Sequence, residues 1–433
     1  MTPRIITPVS RPLCGSVRIP GDKSITHRAI ILSALAKGTS RIDGYLPSDD
    51  CLRTVAAFRQ MGVVFEEAMQ DETPTLCVTA TSKLSEPSDV IDCGNSGTTM
   101  RLLTGLLAGQ PFFSVLTGDA SLRRRPMRRL IDPLRRMGAE ISGRADDHLA
   151  PLAIRGRRLF GMDHALPIAS AQVKSALLLA GLTASGVTRV REPALSRDHT
   201  ERMLSHFGLP CERQDGWIGV RGGAALTGVD IAVPGDFSSA AFFLVAGAVV
   251  EGSEITLDRI GVNPTRTGLV DVLREMGADI SLTPRASPCG EPVAEITVRW
   301  RRLRGTTVSG DRLLSMIDEF PIFCVAAAVA DGETVIRDAS ELRVKESDRI
   351  AAMAEALSAV GVTVEARPDG IRILGGGRIA GGICRTHGDH RVAMAMSIAA
   401  LVADGPITLD DTDSIRTSFP DFMMQLALLT PSP

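Results

Sequence analysis

The sequence predicts an α/β fold built from six repeats shared between two domains, and three observations carry that expectation. One segment layout recurs six times, the helix inside it is apolar on nearly every face, and two Pro-Gly-Asp turns divide the copies into two sets of three. The layout is a turn, a few small polar residues, an apolar helix, a glycine stop and a strand. It begins with PGDKSITHRAIILSALAKGTSRI at Pro20, and PGDFSSAAFFLVAGAVVEGSEI at Pro234 repeats it. CGNSGTTMRLLTGLLAGQPFFSV, ASAQVKSALLLAGLTASGVTRV, DEFPIFCVAAAVADGETVI and HGDHRVAMAMSIAALVADGPITL complete the series, at intervals of roughly 65–85 residues. Residues 21–234 are therefore expected to form one three-repeat domain, and residues 1–20 with 235–433 the other.

Taking the elements in order, the helices within the layout have no polar face and must be buried. A second helix, amphipathic, is expected after five of the six copies. Met127, Leu130, Ile131, Leu134 and Met137 mark one apolar stripe, Leu269, Val270, Leu273 and Met276 another, and Ile350, Met353, Leu357 and Val360 a third. Gly62, Gly138, Gly208, Gly277 and Gly361 stand where a left-handed C-terminal cap belongs, each ahead of a strand-like segment. The repeat thus reads strand, buried helix, strand, amphipathic helix and returning strands. A buried helix wrapped by strands and partner helices inverts the usual barrel.

Composition bounds the function. The chain has 433 residues, 44% hydrophobic and 23% charged, enough for two or three domains with real cores. Its first residues lack the features of a secretory signal or an organelle transit peptide, and no apolar run is long enough to span a bilayer, so a cytoplasmic location without a membrane is expected. The eight cysteines show no CxxC spacing and read as reduced thiols. Cys14, Cys77 and Cys324, in apolar context, are expected to be core filler. A net charge of −2 and 4% aromatics argue against a nucleic-acid binder, which would want a positive domain and stacking rings. The basic runs RRRPMRR (Arg123–Arg129) and RWRRLR (Arg299–Arg304) read as solvated faces. Of the 48 basic residues five are lysines: Lys23, Lys37, Lys83, Lys174 and Lys345. Where arginine is the default cation, a retained lysine hints that a compact, mobile ammonium is needed.

The polar residues gather at the starts of the buried helices, in GDKS, GNSGTT, SAQ, GDFSS, DEF and GDH. Helix N-termini carry partial positive charge and free N–H groups and favour anions, although Ser, Asp and Asn there also serve as plain N-caps. Lys23, Arg28, Arg101 and Arg391 fall in the first turns, and Arg125, Arg197, Lys345 and Arg349 in loops leading to the amphipathic helices. That many cations facing one cleft imply a multiply anionic ligand, such as two phosphates or a phosphate with carboxylates. The residues before Lys23 lack the spaced glycines of a nucleotide-binding P-loop.

GDKSITHR, GNSGTTMR, RRPM, SAQVKSA, SRDHTERM, NPTRTG, IDEFP, RVKESDR and GDHRVAM, in that order, resemble the 5-enolpyruvylshikimate-3-phosphate (EPSP) synthase family, and their RDHTE, SAQxK and NPTR variants look like its bacterial class II branch. The resemblance runs from GDKS to TSFPDF. It implies a two-domain inverted (inside-out) α/β barrel with buried parallel helices that closes over shikimate 3-phosphate. Phosphoenolpyruvate is then added to the 5-hydroxyl of that acceptor and phosphate is eliminated. These small molecules are the implied partners, with no cofactor and no metal, and the protein is expected to be a monomer and a glyphosate target. By the same resemblance Asp318 is the base, Glu346 the acid, and Lys23 a third catalytic residue. Lys23, Ser24, Arg28, Ser170, Gln172, Arg197, Asp318 and Lys345 are implied to hold shikimate 3-phosphate. Lys23, Gly97, Arg125, Gln172, Arg349 and Arg391 are implied to hold phosphoenolpyruvate.

The chain departs from the family pattern at Ala171, where many members have serine, at Glu341, where some have asparagine, and at Thr417, where some have lysine beside the residue matching Arg416. None of these is assigned as a ligand. Asp236 and Asp389 match the family's helix-start aspartates, which capping explains about as well as chemistry does. His199 and the group Cys384, His387, Asp389 and His390 match no familiar zinc spacing. Three rivals to the reading are a sister transferase acting on a UDP-aminosugar, a repeat scaffold and a nucleic-acid binder. The RVKESDR and SAQVK motifs disfavour the first, the polar helix starts the second, and the charge balance the third.

Overall fold

The computed structural model describes residues 3–81, 83–286 and 289–429. The chain divides into two compact units. The first comprises Gly21–Val233 with Pro288–Glu291, and the second Met1–Pro20, Pro234–Ser287 and Pro292–Pro433. The short excursion to Glu291 goes with the first unit for a physical reason. Cys289 is buried in that unit's core, and the Glu291 carboxylate lies 2.8 Å from His199 Nδ1, with both side chains buried.

In the first unit the buried helices are Lys23–Leu35, Gly97–Leu107 and Ala171–Gly181. In the second they are Phe237–Val249, Phe320–Val329 and His390–Leu401. Every residue of Phe237–Val249 is buried. Each Leu, Ile or Phe placed in such a core contributes about 1.5–3 kcal/mol of transfer free energy. The amphipathic partners are Asp49–Gln60, Arg128–Arg136, His199–His206, Gly268–Glu275 and Arg349–Ala359. The three stripes marked in the sequence are all buried. The five glycines after these helices take φ between 83° and 107°, the left-handed region that a side chain avoids.

The described residues form six sheets, one per repeat. In the second repeat Ile91–Asp92 pairs in parallel with Phe113–Thr117, which runs antiparallel to Leu149–Arg155, itself antiparallel to Glu140–Gly143. Crossing from the first strand to the second through a buried helix enforces the parallel pair. Inward positions such as Leu116, Leu152, Ile154 and Ile141 are sealed from solvent. The leading strands are exchanged between chain positions. Asp230–Ala232, after the third repeat, supplies the parallel strand for Thr39–Asp43, and Cys14–Val17 does so for Glu254–Gly261. Repeats one and four therefore each borrow a strand remote in sequence, which closes each unit on itself. The sixth sheet has three strands, and the N-terminal Arg4–Ile6 pairs antiparallel with Ile407–Leu409.

Helices lie inside and sheets outside, the inversion expected. Close approach is built in: a Cβ on Gly105 would stand 2.2 Å from the Ala176 carbonyl oxygen, so the second and third buried helices touch backbone to backbone. The cysteine expectation is corrected in part. Cys324 is buried, but Cys14 is exposed and Cys77 half-buried. Cys14 opens an edge strand whose first three residues face solvent, which local apolar context did not reveal.

Candidate active site

In the first unit the three buried helices begin with side-chain caps. Asp22 accepts from Ile25 N–H at 2.9 Å, Ser96 from Thr99 N–H at 3.1 Å and Ser170 from Val173 N–H at 3.4 Å. The plain capping reading thus holds for these residues. Lys23 projects from the first turn, with its ammonium 2.9 Å from Asp50 and only 17% of its side chain exposed. Ser24, half-buried beside it, offers its carbonyl to Arg28 Nη1 at 2.9 Å.

Arg28 is buried. Its Nε donates to Thr200 Oγ1 at 2.6 Å and its Nη2 to Ser175 Oγ at 2.8 Å. Burial pulls its pKa down to about 10, against the opposing pull of Glu201 and Asp22. His27, one position earlier, is held well below the usual histidine range, first by burial and then by Lys23 and Arg28. Its Nδ1 meets Thr54 Oγ1 at 2.8 Å, which meets Thr99 Oγ1 at 2.8 Å. That chain of buried hydroxyls ties the Lys23 helix to the helix that starts at Gly97.

Gly97 lies against two guanidinium groups. A Cβ there would stand 2.8 Å from Arg101 Nη1 and 3.0 Å from Arg125 Nη1. Arg125, the one deeply buried arginine of RRRPMRR, donates to Asn95 Oδ1 at 2.7 Å. Arg101 donates to Gln172 Oε1 at 2.9 Å, and Gln172 Nε2 donates to Thr98 Oγ1 at 3.1 Å. Gly97, Arg125 and Gln172 are thus brought together, with Arg101 as the link. Ser170 N–H donates to Glu192 Oε1 at 2.8 Å, and Arg197, half-buried, is close enough to Arg28 to depress its pKa.

The second unit gathers the remaining candidates around one arginine. Arg349, fully buried, opens its helix rather than lying in the loop before it, because Asp348 is the cap. Its Nε contacts Asp389 at 2.9 Å, its Nη2 contacts Glu346 at 2.7 Å, and its Nη1 lies 3.5 Å from Asp318. Burial alone would lower the Arg349 pKa, but Asp389, Glu346 and Asp318 outweigh it and the value is raised. Lys345 Nζ and Arg391 Nη2 approach Asp318 at 3.8 and 3.9 Å, and Arg391 Nη1 donates to the Asp318 carbonyl at 2.9 Å.

Asp318 differs from the other helix-start acids. Asp236 and Asp389 cap their helices, accepting from Ser238 and Arg391 N–H at 2.8 and 2.9 Å. The Phe320–Val329 helix has no side-chain cap, starts with proline in its first turn, and is preceded by a short 3-10 turn over Ile317–Glu319. Asp318 in that turn is approached by three cations.

Three polar partners escaped the site reading. Asp50, which pairs with Lys23, sits in the run SDD that opens an amphipathic helix, so its surface-like context hid it. Arg101 was visible as a first-turn cation but not as the link to Gln172. Arg266, in NPTRTG, is buried against Asp236 at 3.0 Å and donates to Ser238 at 2.7 Å. Among the described residues, no group of three His, Cys, Asp or Glu side chains could hold a metal ion. His199 is engaged by Glu291, and His387 by Glu355 at 2.8 Å.

Comparison with known proteins bears on this arrangement. The family model for EPSP synthase (3-phosphoshikimate 1-carboxyvinyltransferase) matches residues 8–426. A 3-phosphoshikimate 1-carboxyvinyltransferase of Geobacter metallireducens is 56% identical over 408 residues, covering 94% of this chain and 95% of that protein. The structure of EPSP synthase from Acinetobacter baumannii superposes with a TM-score of 0.88 at 44% identity, covering 99% of this chain and 98% of that one. The enolpyruvyl transferase NikO from Streptomyces tendae shares the fold, with a TM-score of 0.77 at 19% identity over 99% of this chain and 97% of its own.

Proposed function

This chain belongs to the EPSP synthase family, and we propose that both cationic clusters just described contribute residues to each of its two substrates. The reaction transfers the enolpyruvyl group of phosphoenolpyruvate to the 5-hydroxyl of shikimate 3-phosphate and releases phosphate. It serves the shikimate pathway to aromatic amino acids. Addition comes first: the hydroxyl loses its proton as its oxygen bonds to C2 of phosphoenolpyruvate, and the methylene carbon gains a proton. Elimination follows, when the new methyl group returns a proton and the C–O bond to phosphate breaks.

Addition needs a base at the hydroxyl and an acid at the methylene carbon. We assign the base to Asp318 and the acid to Glu346. The observation that carries the assignment is the gathering of Lys345, Arg349 and Arg391 around Asp318, all within 3.9 Å of its carboxylate. Those cations stabilise the negative charge that a base must carry before it takes a proton. Glu346 lies 2.7 Å from Arg349, and an anionic substrate arriving at Arg349 competes for that guanidinium and loosens its hold on Glu346. Protonating the methylene carbon builds positive charge at C2, so both carboxylates also stabilise the transition state.

For shikimate 3-phosphate the assigned residues are Lys23, Ser24, Arg28, Ser170, Gln172, Arg197, Asp318 and Lys345. For phosphoenolpyruvate they are Lys23, Gly97, Arg125, Gln172, Arg349 and Arg391. Lys23 in both sets suits a single ammonium with three rotatable donors. Support comes from the clustering of Gly97, Arg125 and Gln172 in the first unit and of Arg349 and Arg391 in the second. Arg28 supports the assignment least directly, since three of its N–H groups already serve protein partners.

Calorimetric titration and steady-state kinetics of single variants test the assignment. Ser170→Ala and Arg197→Ala are expected to weaken binding of shikimate 3-phosphate, and Arg349→Gln and Arg391→Gln to raise the KM for phosphoenolpyruvate. The reverse pattern overturns it. The protein is further proposed to work as a monomer in the cytoplasm. The free cysteines support the location, and no described helix is long and apolar enough to cross a membrane. Sedimentation of the purified chain tests the monomer.

A further inference from the structure

The lysine retained in SAQVKSA contributes no donor to the site described, yet it is among the largest fully buried side chains of the molecule. Lys174 Nζ lies 2.9 Å from Glu192 Oε2, 2.9 Å from Glu201 Oε1 and 3.4 Å from the Ser196 carbonyl oxygen, and neither its side chain nor those of the two acids is more than 5% exposed. Three acceptors thus surround one point charge. That is the coordination an ammonium with three hydrogens satisfies and a flat guanidinium does not.

What the two acids do next gives the arrangement its meaning. Glu192 Oε1 accepts from the Ser170 backbone N–H at 2.8 Å, and both Glu192 oxygens accept from Ser196 Oγ at 2.8 and 2.7 Å. Ser170 caps the third buried helix, and Ser196 directly precedes Arg197. Glu201, next to the Thr200 that accepts from Arg28, does most among the carboxylates to hold Arg28's charge against burial. Three segments, 170–175, 192–197 and 200–201, are therefore drawn to one buried nitrogen. Burial alone would depress the Lys174 pKa, but Glu201 and Glu192 together raise it, so the hub stays charged.

We infer that Lys174 is a positioning residue for the acceptor substrate: its ammonium fixes Glu192, and through it the placement of Ser170 and Arg197, without touching the ligand. The inference rests on the assignment of Ser170 and Arg197 to shikimate 3-phosphate. It predicts that loss of the hub raises the KM for shikimate 3-phosphate while leaving that for phosphoenolpyruvate nearly unchanged. A merely structural role would lower stability and affect both substrates alike.

The test is steady-state kinetics of Lys174→Met combined with Glu201→Gln, alongside Lys174→Arg, Ser196→Ala, Ser170→Ala and Arg197→Ala. The double variant removes one positive and one negative charge, so the net charge of the Lys174, Glu192 and Glu201 cluster stays −1, and Glu192, which loses its cation, keeps the hydrogen bonds from Ser170 N–H and Ser196 Oγ. The KM for shikimate 3-phosphate is expected to rise about tenfold or more in the double variant and severalfold in Ser196→Ala, with less than a twofold change for phosphoenolpyruvate. Lys174→Arg is expected not to restore it, because the cation is kept but the geometry is not. If Ser170→Ala and Arg197→Ala weaken shikimate 3-phosphate while Ser196→Ala and every folded Lys174 variant leave its KM within twofold of the parent, the positioning role is wrong. If Ser170→Ala and Arg197→Ala themselves have no effect, the substrate assignment fails and takes this inference with it.

Discussion

Arg349 Nε and Asp389 Oδ2 lie 2.9 Å apart with neither side chain more than 1% exposed, an ion pair wholly withdrawn from water. Burial pushes the Asp389 carboxyl up, but Arg349 and then His390 pull harder, so its pKa falls below the ordinary aspartate value of 3.8. Asp389→Asn keeps an oxygen to cap the helix and removes only the charge. Breaking this buried pair from one side leaves the Arg349 guanidinium with Glu346 and Asp318 as its remaining carboxylate partners, and chemical denaturation is expected to show a loss of up to about 3–5 kcal/mol. Because the folded pKa is depressed, the pair's contribution is complete above the unfolded value of 3.8 and disappears as pH falls through the folded one. The stability gap between parent and variant should therefore narrow below that pH. A gap independent of pH contradicts the assignment of the charge.

Asp318→Asn and Glu346→Gln keep shape and remove proton transfer. Each is expected to lower kcat by about two to four orders of magnitude, the usual contribution of a positioned acid or base. Binding of shikimate 3-phosphate should survive better than turnover. Near-parental kcat in both variants would remove these residues from the mechanism.

Lys23→Arg retains the charge but not the compact donor. The ammonium sits 2.9 Å from Asp50 in a pocket that leaves only 17% of the lysine side chain exposed. A rigid planar fork cannot serve that carboxylate and two substrates at once, so activity is expected to drop about tenfold or more despite the conserved charge. Full activity in this variant would show that charge alone is required.

Gly97→Ala places a methyl group against Arg101 and Arg125 rather than into open space. Both guanidinium groups must shift, so the KM for phosphoenolpyruvate should rise. Glyphosate, proposed as a competitor and longer than the substrate, should lose affinity by a larger factor, since exclusion by clash falls hardest on the bulkier ligand. Inhibition and substrate kinetics on the same preparations decide it; equal losses would mean that Gly97 does not discriminate between them.

His27 and His164 are both buried and both held below the usual histidine value of 6.5, chiefly by burial, His164 at about 4. An unfolded histidine binds its proton near 6.5, whereas these two resist it. Stability should therefore fall as pH drops below 6.5, with each contributing a limiting slope of about 1.4 kcal/mol per pH unit. His27→Gln and His164→Gln should each flatten that slope between pH 6.5 and 5. An unchanged slope in both would assign the dependence to other groups.

The repeats were legible in the sequence because buried helices with no polar face leave an unmistakable apolar run, and because the five C-capping glycines announce each helix end. Strand exchange was not legible: Asp230–Ala232 and Cys14–Val17 are three- and four-residue segments whose partners are remote in sequence, and local pattern cannot say which sheet they join. The cations of the site stood out by motif, while Asp50, Arg266 and the Lys174 hub did not, since their roles depend on which loops the fold packs together. Asp318 shows the limit most clearly. As a letter it resembles any helix-start aspartate, and the cations that the fold brings to its carboxylate set it apart.

Release of inorganic phosphate from phosphoenolpyruvate by the purified chain, measured with and without shikimate 3-phosphate, tests the account most directly. Enolpyruvyl transfer by these residues predicts release that depends on shikimate 3-phosphate, is matched mole for mole by enolpyruvyl product, and falls at least a hundredfold in Asp318→Asn. Phosphate release that is indifferent to shikimate 3-phosphate, or undiminished in that variant, would contradict it.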